Sequence, residues 1–184
     1  MSQIQQDPTQ PIEPFLKKFL SSLDIQFNSP TSSTQFANVD QYATSFGKNL
    51  KRSSAVIVDG TPLIPTGTDD ARLEFQKKWI QVPLTMHQLN SYDCHLIPGT
   101  GVFVINLSVK VKFDESGRSK LGESADLVHD STGSRNTRPI WGSWFGVNIN
   151  MVVDETVINN GDGEVISSFD YRFTYKPDDS VIRI

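Results

Sequence analysis

The chain has 184 residues, 37% of them hydrophobic and 10% aromatic, with a formal net charge of -4 and one cysteine. That length suits one domain around a single sizeable core. The mild negative balance argues against a general nucleic-acid binder, which needs a dominant positive field. A lone Cys94 excludes an internal disulfide. The N-terminus has no basic stretch leading into an apolar run, and no apolar segment approaches bilayer-spanning length. A soluble, intracellular, single-domain protein is expected.

Residues 1–10 are polar and Gln-rich and read as a flexible tail, followed by one domain over 11–184. Pro11 suits a first helical turn, and Phe15, Leu16, Phe19, Leu20 and Leu23 follow at helical spacing. A second helix is expected after Ser33 as its cap, with Phe36, Val39, Ala43, Phe46 and Leu50 as its apolar stripe. Val56 to Ile64 reads as a hairpin turning at Asp59-Gly60, with Pro62 confining the return strand to an edge. Thr68 is placed to cap a third helix that carries Phe75, Trp79 and Ile80 inward. A Glu74–Lys78 pair lies one turn apart, and Pro83 supplies the stop.

Four strands follow. Met86 to Ile97 is the first, and Val102 to Phe113 is the clearest. Its Phe103, Ile105, Leu107, Val109, Val111 and Phe113 alternate with Val104, Asn106, Ser108, Lys110 and Lys112. Between them, Gly99-Thr100-Gly101 is a hairpin turn rather than a phosphate loop, because no helix follows it. After a long polar loop over 114–138 come two more strands. Trp141, Phe145, Val147, Ile149, Met151 and Val153 oppose Asn148 and Asn150; Phe169, Tyr171, Phe173 and Tyr175 oppose Ser168, Asp170, Arg172 and Thr174. Helices gathered on one face of an antiparallel sheet make an α+β layer fold. A sheet this long curls around them and leaves a polar outer face.

Three constellations invite a function. Asp93 and His95 on one strand face, with His87 further up that face, are the candidates for acid–base catalysis of isomerisation or dehydration inside a cone. Their spacing matches no metal site, and no cofactor or metal is expected. In the long loop, Arg118, Lys120, Arg135 and Arg138 sit among five acidic residues, a pattern of a solvated loop or of a docking arm for RNA or ribonucleoprotein cargo. No aromatic lies between Asp114 and Arg138 to stack on single-stranded RNA. The outer sheet face, comprising Asn106, Ser108, Lys110, Asn148, Asn150, Ser168, Asp170, Arg172 and Thr174, is rich in short amides and hydroxyls. That composition leans toward a protein partner. Trp141, Trp144 and Phe145 lie near one end as anchors or core.

Several uncommon blocks occur in order: Lys112-Phe113-Asp114-Glu115-Ser116-Gly117-Arg118, then Arg138-Pro139-Ile140-Trp141-Gly142 with Phe145-Gly146, then Tyr175-Lys176-Pro177-Asp178-Asp179-Ser180. They resemble the fungal mRNA transport regulators, the small subunits of the heterodimeric mRNA export receptor. The resemblance is specific from about Ile97 to Ile184. It implies a nuclear transport factor two-like cone, three helices packed in a strongly curved antiparallel sheet, and a non-enzymatic role. It further implies a heterodimer through the outer sheet face with the large export subunit, and contact with Phe-Gly nucleoporins. Residence at the nuclear pore with shuttling to the cytoplasm follows from the same resemblance, as does a part in export of large ribosomal subunits. Tyr171-Arg172-Phe173 looks like the family position whose arginine pairs with an acidic residue of the large subunit.

Overall fold

The computed structural model describes residues 7, 9–27, 36–121 and 139–182. The first helix, α1, spans Ile12–Leu23 and follows Pro11 directly. Its Ile12, Phe15, Leu16, Phe19, Leu20 and Leu23 form one buried stripe, while Glu13 and Lys17 pair one turn apart on the wet side.

The second helical region departs from its expected form. Helix α2 is one short element, Val39–Ala43, capped by Asn38, whose side chain accepts from the Gln41 amide. The Thr44 and Ser45 hydroxyls donate back to the carbonyls of Asp40, Gln41 and Tyr42, and Gly47 takes a left-handed φ of 55°. These local bonds compete with continued helix. Phe46 and Leu50 are buried as expected, but Leu50 already opens a strand and Val39 is 42% exposed. Ser33 lies outside the described residues.

Strand β1 (Leu50–Val58) turns at Asp59 and Gly60, both with positive φ, into the two-residue edge strand β2, Thr61–Pro62. Helix α3 spans Ala71–Trp79. Its cap is Asp70, accepting from the Leu73 amide, rather than Thr68, and it ends four residues before Pro83. Glu74 accepts from the Thr66 hydroxyl, and Lys77 bridges to Asp69, so the expected Glu74–Lys78 pair does not form.

The remaining strands are β3 (Thr85–Ile97), β4 (Val102–Phe113), β5 (Phe145–Asp154) and β6 (Ile166–Tyr175). They join one curved six-stranded sheet in the order β2-β1-β6-β5-β4-β3. All neighbours are antiparallel except β1 and β6, which run parallel, with Ala55 opposite Ser168 and Val58 opposite Tyr171. The sheet is antiparallel as expected apart from this one pairing. That pairing joins strands over a hundred residues apart, for which neighbouring residues carry no signal. Ser54 reinforces it by donating its hydroxyl to the Ile166 carbonyl.

The core lies between the inner face of β4–β6 and helices α1 and α3. Phe103, Ile105, Leu107, Ile149, Met151, Phe169 and Tyr171 are buried there. Phe169 joins the two helices, meeting the ring of Phe19 at 5.5 Å and that of Phe75 at 5.6 Å, both edge-to-face. Alternation decays at the end of β6, where Phe173 is half-buried and Tyr175 is 60% exposed. Trp141 lies outside β5, in a single bridge to Asp114. Replacing Phe169 with alanine opens the joint between the helices and the sheet, and a loss of about 3–5 kcal/mol is expected in urea unfolding. A loss below about 1 kcal/mol would mean that the joint closes elsewhere.

Candidate protein-docking face

The outer face is built by register. On β4 and β5, Asn106 stands opposite Asn150, Ser108 opposite Asn148 and Lys110 opposite Gly146. On β6, Arg172 stands opposite Asn148 and Asp170 opposite Asn150, with Ser168 beside Val152. Thr174 lies at the bulge where β5 and β6 slip by one residue, and a Cβ on Gly146 would meet its Oγ1 at 2.8 Å. Glycine permits that close approach. All nine predicted interface residues therefore share one face, and none is fully buried.

These side chains are already organised. Asn148 donates through Nδ2 to Asn106 Oδ1 at 2.9 Å, and Asn150 donates to Asn148 Oδ1 at 3.0 Å. Arg172 reaches Asp170 Oδ2 at 3.3 Å, with the arginine side chain 57% exposed. Such an exposed pair contributes little to the fold. At one end Lys112 lies 4.9 Å from the Trp144 ring and 5.3 Å from that of Trp141, while Lys110 lies 5.6 Å from Trp144. Both tryptophans are half-buried, so the cations clasp them against the sheet instead of leaving them as free anchors.

The catalytic alternative is contradicted by a bulge. Register shifts between Leu89 and Ser91, so the strand changes parity midway. His87, opposite Val111, turns into the cone, whereas Asp93, opposite Asn106, and His95, opposite Val104, turn outward and are exposed. The three residues do not share a face. An apolar pocket of about 350 Å³ opens between α3 and the β1–β6 side of the sheet, lined by Val58, Leu63, Phe75, Trp79 and Phe173 among others. Neither Asp93 nor His95 lines it.

Beside this pocket lies a polar network that sequence reading missed. The Asp24 carboxylate, just past α1, accepts from the His87 amide and the Thr85 hydroxyl, both at 2.8 Å, and lies 2.5 Å from His87 Nδ1. A carboxylate can only accept, so Nδ1 donates to Asp24, while Nε2 lies 2.9 Å from the Tyr171 hydroxyl. Burial, and secondarily the charge of Asp24, push the Tyr171 phenol well above its ordinary range and keep it protonated. Only its Asp24, Thr85, His87 and Tyr171 members together would have marked the network, and they come from α1, β3 and β6.

Lys120 belongs to that network and not to a cargo arm. It is 1% exposed, donates to Thr85 Oγ1 at 2.7 Å and lies 5.4 Å from the Trp79 ring. Its backbone holds it there, with the amide donating to the Val82 carbonyl and Pro83 bridging to Ser119. At the loop's root, Asp114 is buried and accepts from the amides of Ser116 and Ile140. Of the other loop cations, Arg118 is half-buried, and Arg135 and Arg138 lie outside the described residues.

A family model described as nuclear pore RNA shuttling protein Mtr2 matches residues 3–184. The chain belongs to the Mtr2 family. The Candida albicans mRNA transport regulator MTR2 is 60% identical over 184 residues, covering 98% of this chain and 100% of its own. The Saccharomyces cerevisiae MTR2 is 35% identical over 179 residues, 92% of this chain and 89% of the relative. Among solved structures, the crystal structure of the C. albicans Mtr2–Mex67 M domain complex contains a chain matching with a TM-score of 0.82 and 61% identity, covering 95% of this chain and 100% of that one. A nuclear transport factor 2-like protein from Salmonella enterica, 11% identical with a TM-score of 0.51, shares the fold alone. The Mtr2 family is a transport family, not an enzyme family.

Burial pushes the Lys120 ammonium down to about 7, against the opposing pull of Asp24. The unfolded chain, with an ordinary lysine, holds that proton up to about pH 10. Between these values the unfolded state binds more protons, so stability rises with pH. From about pH 9, Cys94, whose half-buried thiol is pushed up to about 11, opposes the trend, because the unfolded thiol ionises first. Thermal melts are therefore expected to climb between about pH 7 and 9. Lys120→Met should flatten that climb, and an unchanged slope would remove Lys120 as its source.

Proposed function

We propose that this chain is the small, non-enzymatic subunit of a heterodimeric mRNA export receptor, docking through the outer face of β4–β6 onto a large subunit related to Mex67. The complex carries messenger ribonucleoprotein through nuclear pores and shuttles between nucleus and cytoplasm. The observation that carries this reading is the uncovered sheet face, where an interlinked amide row and an Arg172–Asp170 pair stand ready without lysine or glutamate at its centre. Membership of the Mtr2 family, and a 61% identical relative crystallised with the Mex67 M domain, support the same partner. Side chains already tied to one another lose less freedom on docking.

Arg172 is the residue proposed to meet an acidic group of that partner. Arg172→Ala should weaken co-purification with a Mex67 M domain, by about 2–5 kcal/mol for a desolvated pair. Retention equal to the unmodified chain would count against this face.

Two finer contacts belong to the same proposal. The apolar pocket beside Val58 and Trp79 has the lining to take one phenylalanine side chain, which suits Phe-Gly nucleoporins. The loop over 114–138 is proposed for ribonucleoprotein cargo through Arg118, Arg135 and Arg138, large ribosomal subunits included; Lys120 is withdrawn from that set because it is buried. On the assembled heterodimer, Val58→Asp should lower retention on immobilised Phe-Gly repeats and spare RNA cross-linking. Alanine at the three arginines should do the reverse. Unmodified behaviour in both variants would sink both contacts.

A further inference from the structure

One buried polar side-chain atom of the outer face has no hydrogen-bond partner among the described residues. Asp170 lies between Asn150 of β5 and Ile57 of β1, in the middle of the sheet, with its side chain 22% exposed. Its Oδ1 is buried and has no hydrogen-bond partner among the described residues. Among the described residues Oδ2 meets Arg172 Nη2, at 3.3 Å, and that guanidinium is largely in solvent. The amide opposite could have served, but Asn150 directs its Nδ2 to Asn148 instead. Buried carboxylate oxygens are costly to leave unpaired, so such an atom calls for a donor from outside the chain.

The chemistry of that donor is constrained. The acceptor is a full charge, lacks one hydrogen bond and shares its other oxygen at long range, a site that a guanidinium or ammonium fills best. We propose that Asp170 accepts an arginine or lysine from the docked face of the partner subunit. Docking then exchanges the Asp170–Arg172 contact for two contacts across the interface, because Arg172 is released toward a partner carboxylate. Opposed charges side by side at the centre also set orientation: a face rotated or shifted by one residue would bring like charges together. This inference rests on the heterodimer reading above and names the residue that fixes its specificity.

The test is titration calorimetry of the full chain with the C. albicans Mex67 M domain, alongside thermal melts of the chain alone. Asp170→Asn keeps the shape and removes the charge. It should weaken binding on the order of thirtyfold or more and flatten its salt dependence. The melting midpoint should stay the same or rise, because an unpaired charge has gone. Asp170→Glu, which keeps the charge, should recover part of the affinity. If the unmodified chain binds and Asp170→Asn binds as tightly, the proposal is overturned and the heterodimer reading stands. If Asp170→Asn loses affinity together with thermal stability, Asp170 is a structural residue and the proposal is again overturned. If the unmodified chain does not bind, or sedimentation shows a self-dimer through this face, both readings fall.

Discussion

The structure depends on two-sided strands. In β4 every inward position from Phe103 to Phe113 is buried, and β5 repeats the pattern from Phe145 to Val153. That apolar surface is covered by α1 and α3, with Phe169 as the joint between them. Because side chains alternate strictly, committing one face to the helices commits the other to solvent or to a second protein. The polar face follows from the core as much as from any functional need.

The cone and the outer face divide the polar groups in opposite ways. Inside, Asp24, Thr85, His87, Lys120 and Tyr171 satisfy one another, and neither Asp93 nor His95 joins them. Outside, the amides are linked to each other, but Asp170 Oδ1 has no hydrogen-bond partner among the described residues. A satisfied buried network rigidifies, and a half-satisfied surface invites a partner. The proposed role uses the sheet's outer face rather than its interior, in keeping with membership of a transport family.

How much was legible in the sequence differs by element. Strand β4 runs over the expected Val102–Phe113, since twelve alternating residues leave no other register. Helix α1 is equally plain from its stripe. Strand β3 misled because a bulge at Leu89–Ser91 reverses which side chains point inward, and one inserted residue has no signature in Gln88-Leu89-Asn90-Ser91. The nine outer-face residues share one face because each lies on a strand whose apolar neighbours point to the other side.

The sequence by itself determined the period of the strands, the apolar stripe of α1, the Asp59-Gly60 turn and, through its uncommon blocks, the family. Only the tertiary structure decided that β1 runs parallel beside β6, that Lys120 is buried beneath Trp79 rather than presented to cargo, and that Asp170 is a hydrogen bond short among the described residues. The physical reason is range. Alternation and turn chemistry are properties of neighbouring residues, whereas the burial of a charge is set by groups that arrive from distant parts of the chain, as Asp24, Trp79 and Thr85 do around Lys120.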